Sequence, residues 1–457
     1  MPNAPLRTVA TLALIFLFSL AALGQRRPPR QMPDGAQSQA STAAPAGPIA
    51  LKGGKLLTIT HGTIENGVVV IENGKITAVG PAASTKIPAN AHVIDVTGMT
   101  VYPGLIDSDS HLGLTEISAD PMTNDMLEPS DEINPQLHVW DAFHAESELI
   151  PTARINGITN AVVSPAEGDT LPGQDSFIQL AGASAQEMLL DRDIALPLNF
   201  LAQDRRTGGR GEGISGRFPS TRMGMASQLR QTFMDAQDYA QKMSAPASSQ
   251  GGRAGQPPKR DLKMEALQPY LQGKKPIVLA AEQPNDLQTA VGIANEFHLK
   301  FVLSHVNHAQ PLLDYIASLH VPVIVGPIYE QPNEDERYDA VLRLPGELAK
   351  RGVKIAFASY GDTHGVRNLP YQAGWAVAFG LPYDEALKAI TLNPAEIWGV
   401  ADQLGSLDVG KMGNVVVATG DPLDMKSDVK HVFIGGKEIP IMDRQIELRN
   451  EYEGQHN

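Results

Sequence analysis

The sequence predicts an α/β protein: a (β/α)8 barrel carrying a small β-sandwich built from both ends of the chain. Three observations predict it. Between residues 101 and 403, short apolar strands alternate with amphipathic stretches, the signature of buried parallel strands with crossover helices. The alternation repeats seven or eight times over about 300 residues, which fits a closed barrel better than an open sheet. Residues 49–100 and 404–445 instead carry strands and tight turns without helical period, so the two ends are expected to pair into one β domain.

The chain has 457 residues, 37 Lys and Arg against 51 Asp and Glu, and a net charge of −14. An acidic chain lacks the clustered positive face that nucleic acid requires, so a small-molecule substrate is expected and nucleic acid is not. Homo-oligomerisation is left open. There are no cysteines, which excludes disulfides, zinc-thiolate sites and cysteine nucleophiles. Any metal must be held by His, Asp or Glu.

Arg7, the apolar run Val9 to Leu23 and the small residues Ala22-Leu23-Gly24 read as a signal peptide over 1–24, which places the protein in a secreted or periplasmic compartment. Retention as a membrane anchor is the alternative; after cleavage no stable membrane span is expected. Residues 25–48, rich in Pro, Gln, Ala and Ser, read as a disordered linker. Four strands follow: Lys55–Ile59, Gly67–Ile71, Lys75–Val79 and His92–Val96, with Asn73-Gly74 as a hairpin turn.

Barrel strands are expected at Thr100–Ile106, Ile158–Ser164, Phe177–Leu180, Pro276–Ala281, Lys300–Ser304, Val321–Val325 and Lys354–Ala358. Helices are expected at Asp286–His298, Gln310–His320, Asp384–Leu392 and Ala395–Val400. Two stretches, 203–222 and 244–260, are rich in Gly, Arg, Ser and Pro and read as mobile insertions around an outer helix at 225–242. Pro172–Ser176 reads as a turn without chemistry. Strands return at Asn414–Ala418 and His431–Gly435, and 446–457 reads as a frayed polar tail.

The chemistry concentrates at Pro103-Gly104-Leu105-Ile106-Asp107-Ser108-Asp109-Ser110-His111. Residues two apart on a strand share a face, so Asp107, Asp109 and His111 are expected together at the strand's C-terminal end, where barrel enzymes work. Convergent carboxylate and imidazole is the donor chemistry of a divalent ion.

This segment resembles the amidohydrolase superfamily, whose first strand reads Pro-Gly-Leu-Ile-Asp before a His-x-His pair. Gly98-Met99-Thr100, Gly157-Ile158-Thr159, Thr391-Leu392-Asn393-Pro394-Ala395, Leu404-Gly405-Ser406-Leu407 and Gly410–Val417 extend the resemblance, in order, over residues 50–437. It is strongest to imidazolonepropionase-like members. The resemblance implies the barrel-plus-sandwich fold and a metal-dependent hydrolase of carbon–nitrogen bonds in non-peptide or cyclic amides. It implies His111 and His305 as metal ligands, with zinc as the ion.

The sequence departs from the family pattern elsewhere. Asp109 stands where the first His belongs and reads equally as an oxygen ligand or as a carboxylate bonding nearby backbone. Ala280 occupies the strand-five His position, with Glu282 two residues on, either a replacement ligand or a solvated carboxylate. Tyr360 is in register with the strand-eight Asp. Asp362, two residues later, reads as the catalytic acid–base or as a helix N-cap. Arg367 reads as a clamp for a substrate carboxylate or as part of a surface ion pair. The alternative to an enzyme is an amidohydrolase-like binding protein that has lost its metal centre.

Overall fold

A computed structural model describes residues 47–117, 119–201, 218–244, 259–361 and 363–454. The expected signal peptide, nearly all of the linker, most of both insertions and Asp362 lie outside the described residues. Among the described residues no helix is long and apolar enough to cross a membrane.

Five strands open the described chain: β1 (Ile49–Leu57), β2 (Thr63–Glu72), β3 (Lys75–Pro81), β4 (His92–Asp95) and β5 (Thr100–Pro103). Eight more make the barrel: β6 (Leu105–Ser110), β7 (Ile158–Val163), β8 (Asp175–Gln179), β9 (Leu189–Asn199), β10 (Ile277–Ala280), β11 (Phe301–Ser304), β12 (Val323–Val325) and β13 (Ile355–Phe357). Three close the chain: β14 (Val415–Ala418), β15 (Val429–Ile434) and β16 (Lys437–Ile439).

The two ends form one sheet. Its order is β16-β15-β14-β5-β1-β2-β3, with β4 also on β1, and β14 runs antiparallel to β5 from Val415 opposite Pro103 to Ala418 opposite Thr100. Leu51, Val69, Val101, Val415 and Phe433 pack on one face and Ala50, Val68 and Val70 on the other. Alternate residues of single strands thus enter different apolar clusters, as a sandwich pattern requires.

The barrel sheet runs in order from β6 to β13, and the Ser110–Tyr360 bridge brings its last strand back to its first. Its strands are Val, Ile, Leu and Ala because both faces are covered; all six residues of β7 are buried. The outer helices follow the 3.6-residue period. Over Arg222–Ser244 the buried side chains are Met225, Ala226, Leu229, Thr232, Phe233 and Ala236, and Phe233 meets Phe297 with ring centroids 5.1 Å apart.

Four features differ from the sequence reading. The run expected as one strand, Thr100–Ile106, breaks at Gly104: β5 belongs to the terminal sheet and β6 to the barrel. The barrel is not all parallel, since β8 pairs antiparallel with both β7 and β9. β9 itself was not read as a strand because Asp191, Arg192, Asp193 and Pro197 interrupt its apolar pattern; its first half is exposed and only Ile194–Asn199 is buried. The polar end also folds further than read, into a helix over Arg444–Gly454 that buries no side chain.

Gly104 is the joint between the sheets. Its N–H donates to Asn414 O at 2.9 Å, and a Cβ on it would stand 2.1 Å from Thr159 Oγ1. The backbones of the two sheets therefore approach only because this residue has no side chain. Gly104→Ala should lower the stability of the folded chain by about 2 kcal/mol, the scale of overpacking a tight core, measured by denaturant unfolding. Unchanged stability would show that the joint has slack.

Candidate active site at the barrel mouth

β6 delivers three groups to one end of the barrel, and they do different things. Asp107 Oδ1 accepts from the backbone N–H groups of Ser359 (3.1 Å) and Asp109 (3.3 Å), and Oδ2 accepts from Ser359 Oγ at 2.6 Å. Burial nonetheless pushes this carboxyl up to about 7, against the pull of those bonds. Asp107 is thus engaged in closing the barrel, while Asp109 and His111 enter the site.

His111 is buried, and its Nδ1 lies 2.9 Å from Ser164 O, beyond the end of β7. That bond holds the ring with Nε2 facing the cavity, 3.7 Å from Glu167 Oε2. His305 follows β11 with a left-handed backbone, φ 55°, which swings its ring out of the strand direction. Its Nδ1 is 2.9 Å from Ser304 Oγ and its Nε2 is 3.3 Å from Glu167 Oε1. The two imidazoles expected together therefore face one carboxylate between them. A ring whose Nδ1–H is donated elsewhere presents Nε2 as its reactive atom, the orientation seen in metal-ligating histidines.

Glu167 was not anticipated. It follows strand β7 in Ser164-Pro165-Ala166-Glu167, and the rule that chemistry sits beyond the C-terminal ends of barrel strands would have singled it out. Burial would raise its carboxyl, but the two facing imidazoles hold it well below the usual carboxylate range. Burial depresses both imidazoles; Glu167, aided by Asp109, more than reverses this, and both stand above the ordinary histidine value.

Asp109 lies in the same field. Burial and the Glu167 charge push it up to about 6, opposed by His111 and His305. Its Oδ1 is buried without a hydrogen-bond partner. Asp175, read as part of a turn, begins β8 fully buried, with neither oxygen hydrogen-bonded. Burial and Asp109 hold it well above the carboxylate range. The Ser164 hydroxyl stands beside both carboxyls and lowers each, with a well-formed bond to neither.

Tyr360 occupies the position where the family carries an acid, and its role here is support. Buried with φ 48°, it sends its hydroxyl to Ser304 Oγ (2.9 Å), Ile324 O (3.1 Å) and the N–H of His305 (3.4 Å). Its ring packs on His305 with centroids 4.1 Å apart. Ala280 is buried in β10 and Glu282, past its end, lies 3.2 Å from His308 Nε2. Arg367 is half-buried; its guanidinium is 3.4 Å from Gln445 of the last helix, and its carbonyl accepts from Asn156. Neither contact is with the His111–Glu167–His305 group.

The donor types fit a divalent ion: two Nε2 atoms, a carboxylate between them and the orphaned Asp109 Oδ1. Among the described residues, no three His, Asp or Glu side chains surround a single point at ligating distance. In this structure the Glu167 carboxylate itself lies between the imidazoles.

The match to known proteins agrees with this site-bearing barrel. The Amidohydrolase family model matches residues 334–439. The structure of an amidohydrolase from Thermotoga maritima MSB8 superposes with a TM-score of 0.76 at 30% identity, covering 87% of this chain and 100% of that one. The chain belongs to the amidohydrolase family. It is also 24% identical to the amidohydrolase tasK of Hapsidospora irregularis over 81% of this chain, and spans only 39% of that protein's length. A 56-residue stretch, 11% of this chain and 13% of the other, is 54% identical to imidazolonepropionase of Geobacillus kaustophilus.

Tyr360→Phe removes a hydroxyl that serves Ser304, Ile324 O and the His305 backbone at once. It should cost about 1–2 kcal/mol in denaturant unfolding, the price of leaving buried polar partners unmet. A neutral result would mean the hydroxyl does not support His305.

Proposed function

We propose that the chain is a metal-dependent hydrolase of carbon–nitrogen bonds in non-peptide amides or cyclic amides. The observation that carries the reading is the pair of imidazoles, His111 buried and His305 half-buried, each held through Nδ1 and each turning Nε2 toward Glu167 at the barrel mouth. His111 and His305 would hold the ion with Asp109 and Glu167, and zinc suits this mixture of nitrogen and oxygen donors. When bound, such an ion supplies Lewis acidity and lowers the pKa of water.

The chain's own residues do the rest. Ser164 O and Ser304 Oγ fix the two rings, and Tyr360 fixes the strand end that carries His305. Asp362 is assigned the proton: it takes one from the attacking water as the new carbon–oxygen bond forms. It then delivers that proton to the nitrogen as the carbon–nitrogen bond breaks. The single charge of Arg7 and the apolar stretch Val9 to Leu23 support an exported protein. A second reading, a binding protein without a metal centre, is favoured by the lack of three convergent donors among the described residues.

Elemental analysis of the purified full chain separates the two. The hydrolase reading expects about one equivalent of divalent metal, lost in His111→Ala while the circular dichroism spectrum stays that of the wild type. Folded wild-type protein that contains no divalent metal and takes none up on titration would sink the hydrolase reading and leave the binding one.

A further inference from the structure

Asp175 is a buried carboxyl that the site described so far does not use. β8 runs antiparallel to β7 and β9, so its first residue lies at the barrel mouth beside the last residues of its neighbours. Asp175 pairs with Ala195, and Phe177, two residues on, packs with Ala195, Ile106, Val162 and Val302 in an apolar cluster that draws on every strand from β6 to β12. Such a cluster fills the inside of the barrel. Residues opposite one another in an antiparallel pair, and residues two apart on a strand, share a face, so Asp175 points inward at the mouth end of that cluster. One step beyond the Val163–Ser176 pair sets Ser164 opposite it.

Both oxygens of Asp175, Oδ1 of Asp109 and Oγ of Ser164 have no hydrogen-bond partner among the described residues. Asp175 is fully buried, Ser164 is 2% exposed and Asp109 6% exposed, so solvent does not take the partner's place. The Ser164 hydroxyl stands beside both carboxyls, and the Asp109 charge acts on Asp175. Tyr270, on which the Asp175 charge acts in turn, gives its hydroxyl hydrogen to Gln174 Oε1 at 2.6 Å. Asp107, in the same barrel, shows what a buried carboxylate held for structure looks like: it accepts three hydrogen bonds, whereas Asp175 accepts none. A carboxylate out of water needs a cation or donors, and buried polar groups without either call for an explanation. Two carboxylates and a hydroxyl are the hard oxygen donors that divalent cations take.

We infer that Asp175 is a metal ligand of this barrel: with Asp109 and the Ser164 hydroxyl it would supply the oxygen side of the shell around a divalent ion. β8 is not among the strands whose ligands the family resemblance names. Ligation asks for side-chain rotation, since no three His, Asp or Glu side chains of the described residues converge at ligating distance. The inference rests on the proposed reading that the mouth holds a metal, and not on the reaction that follows.

The test is zinc binding to the full chain stripped with chelator, followed by calorimetric titration with zinc chloride and by thermal unfolding with and without it. Asp175→Asn should raise the zinc Kd at least about tenfold, the lower end of what even a residue behind a ligand is worth. Without metal, Asp175→Asn and Asp175→Leu should melt no lower than the wild type, because each removes a buried carboxyl that has no partner. With zinc, the rise in Tm seen for the wild type should shrink in both, since stabilisation follows occupancy. A residue that only held the fold would give the opposite pattern, a lower Tm in chelator and an undiminished rise with zinc. That pattern, a zinc Kd within about threefold of the wild type in both variants, or variants that do not fold would each overturn the inference. Failure of the hydrolase reading looks different. Zinc uptake lost in Asp175→Asn but kept in His111→Ala would keep this inference and remove the histidine-held ion on which that reading depends. Uptake lost in His111→Ala but kept in Asp175→Asn would do the reverse. A wild-type chain that takes up no zinc would overturn both.

Discussion

The Asp107 carboxylate ties the first barrel strand to the last. It sits without solvent exposure and receives three hydrogen bonds, two of them from Ser359 at the end of β13. Regular strand pairing does little at this seam, where a single bridge joins Ser110 to Tyr360. Everything functional hangs from the two strand ends that Asp107 joins. His111 is the residue after β6, and Tyr360, the residue after Ser359, supports His305 across the mouth. Burial works against this carboxylate, and the bonds from Ser359 and Asp109 offset only part of that cost. An apolar residue in its place would leave the buried Ser359 N–H and hydroxyl without their acceptor.

The same opposition between burial and partnership sets the state of the inner site. Glu167, Asp109, Asp175, His111 and His305 are ionisable groups that act on one another, three of them buried. Two imidazoles keep Glu167 charged, whereas Asp109 and Asp175, farther from compensation, are pushed toward the neutral form. Like charges this close cannot all ionise, so protons or an added cation must make up the difference. Orphaned oxygens on both aspartates mark where the protein alone leaves the account open.

Much of the fold was legible because its signals are local. Alternating apolar strands, the Asn73-Gly74 hairpin and the two β-rich ends can each be read within a dozen residues. The break at Gly104 left only the breaker pair Pro103-Gly104 inside a strand-like run, and the approach of Thr159 and Asn414 shows why one sheet stops there. The antiparallel β8 was equally hidden, since strand direction leaves no trace in a five-residue strand. Of the site, His111 and His305 were visible from motif and position, and the structure sets both on Glu167. Glu167 was within reach of the strand-end rule, and Asp175 was not visible. Each lies in a segment whose composition says turn, and each matters through partners that are distant in sequence.

The motifs that carry the family likeness are mostly scaffold. Asn393 of Thr391-Leu392-Asn393-Pro394-Ala395 donates to Ile355 O at 2.9 Å, fastening a helix under β13. Gly405 lies so close that a Cβ on it would stand 2.8 Å from that of Ala395 and 2.9 Å from Thr391 O. Gly413 is pressed against Gly436, and Asn414 reaches from the terminal sheet to Asn160 in β7 at 2.9 Å. These residues lie in the matched span 334–439 and fix how the terminal sheet seats on the barrel, which is a packing problem with few solutions. The residues around the mouth face a different constraint. Asp109, Ala280 and Tyr360 stand where the family places metal ligands, yet the barrel around them closes and packs as its relatives do. A barrel keeps its strands through closure and core, and keeps its chemistry through the side chains beyond them. That division lets the side chains at the mouth change while the scaffold stays fixed.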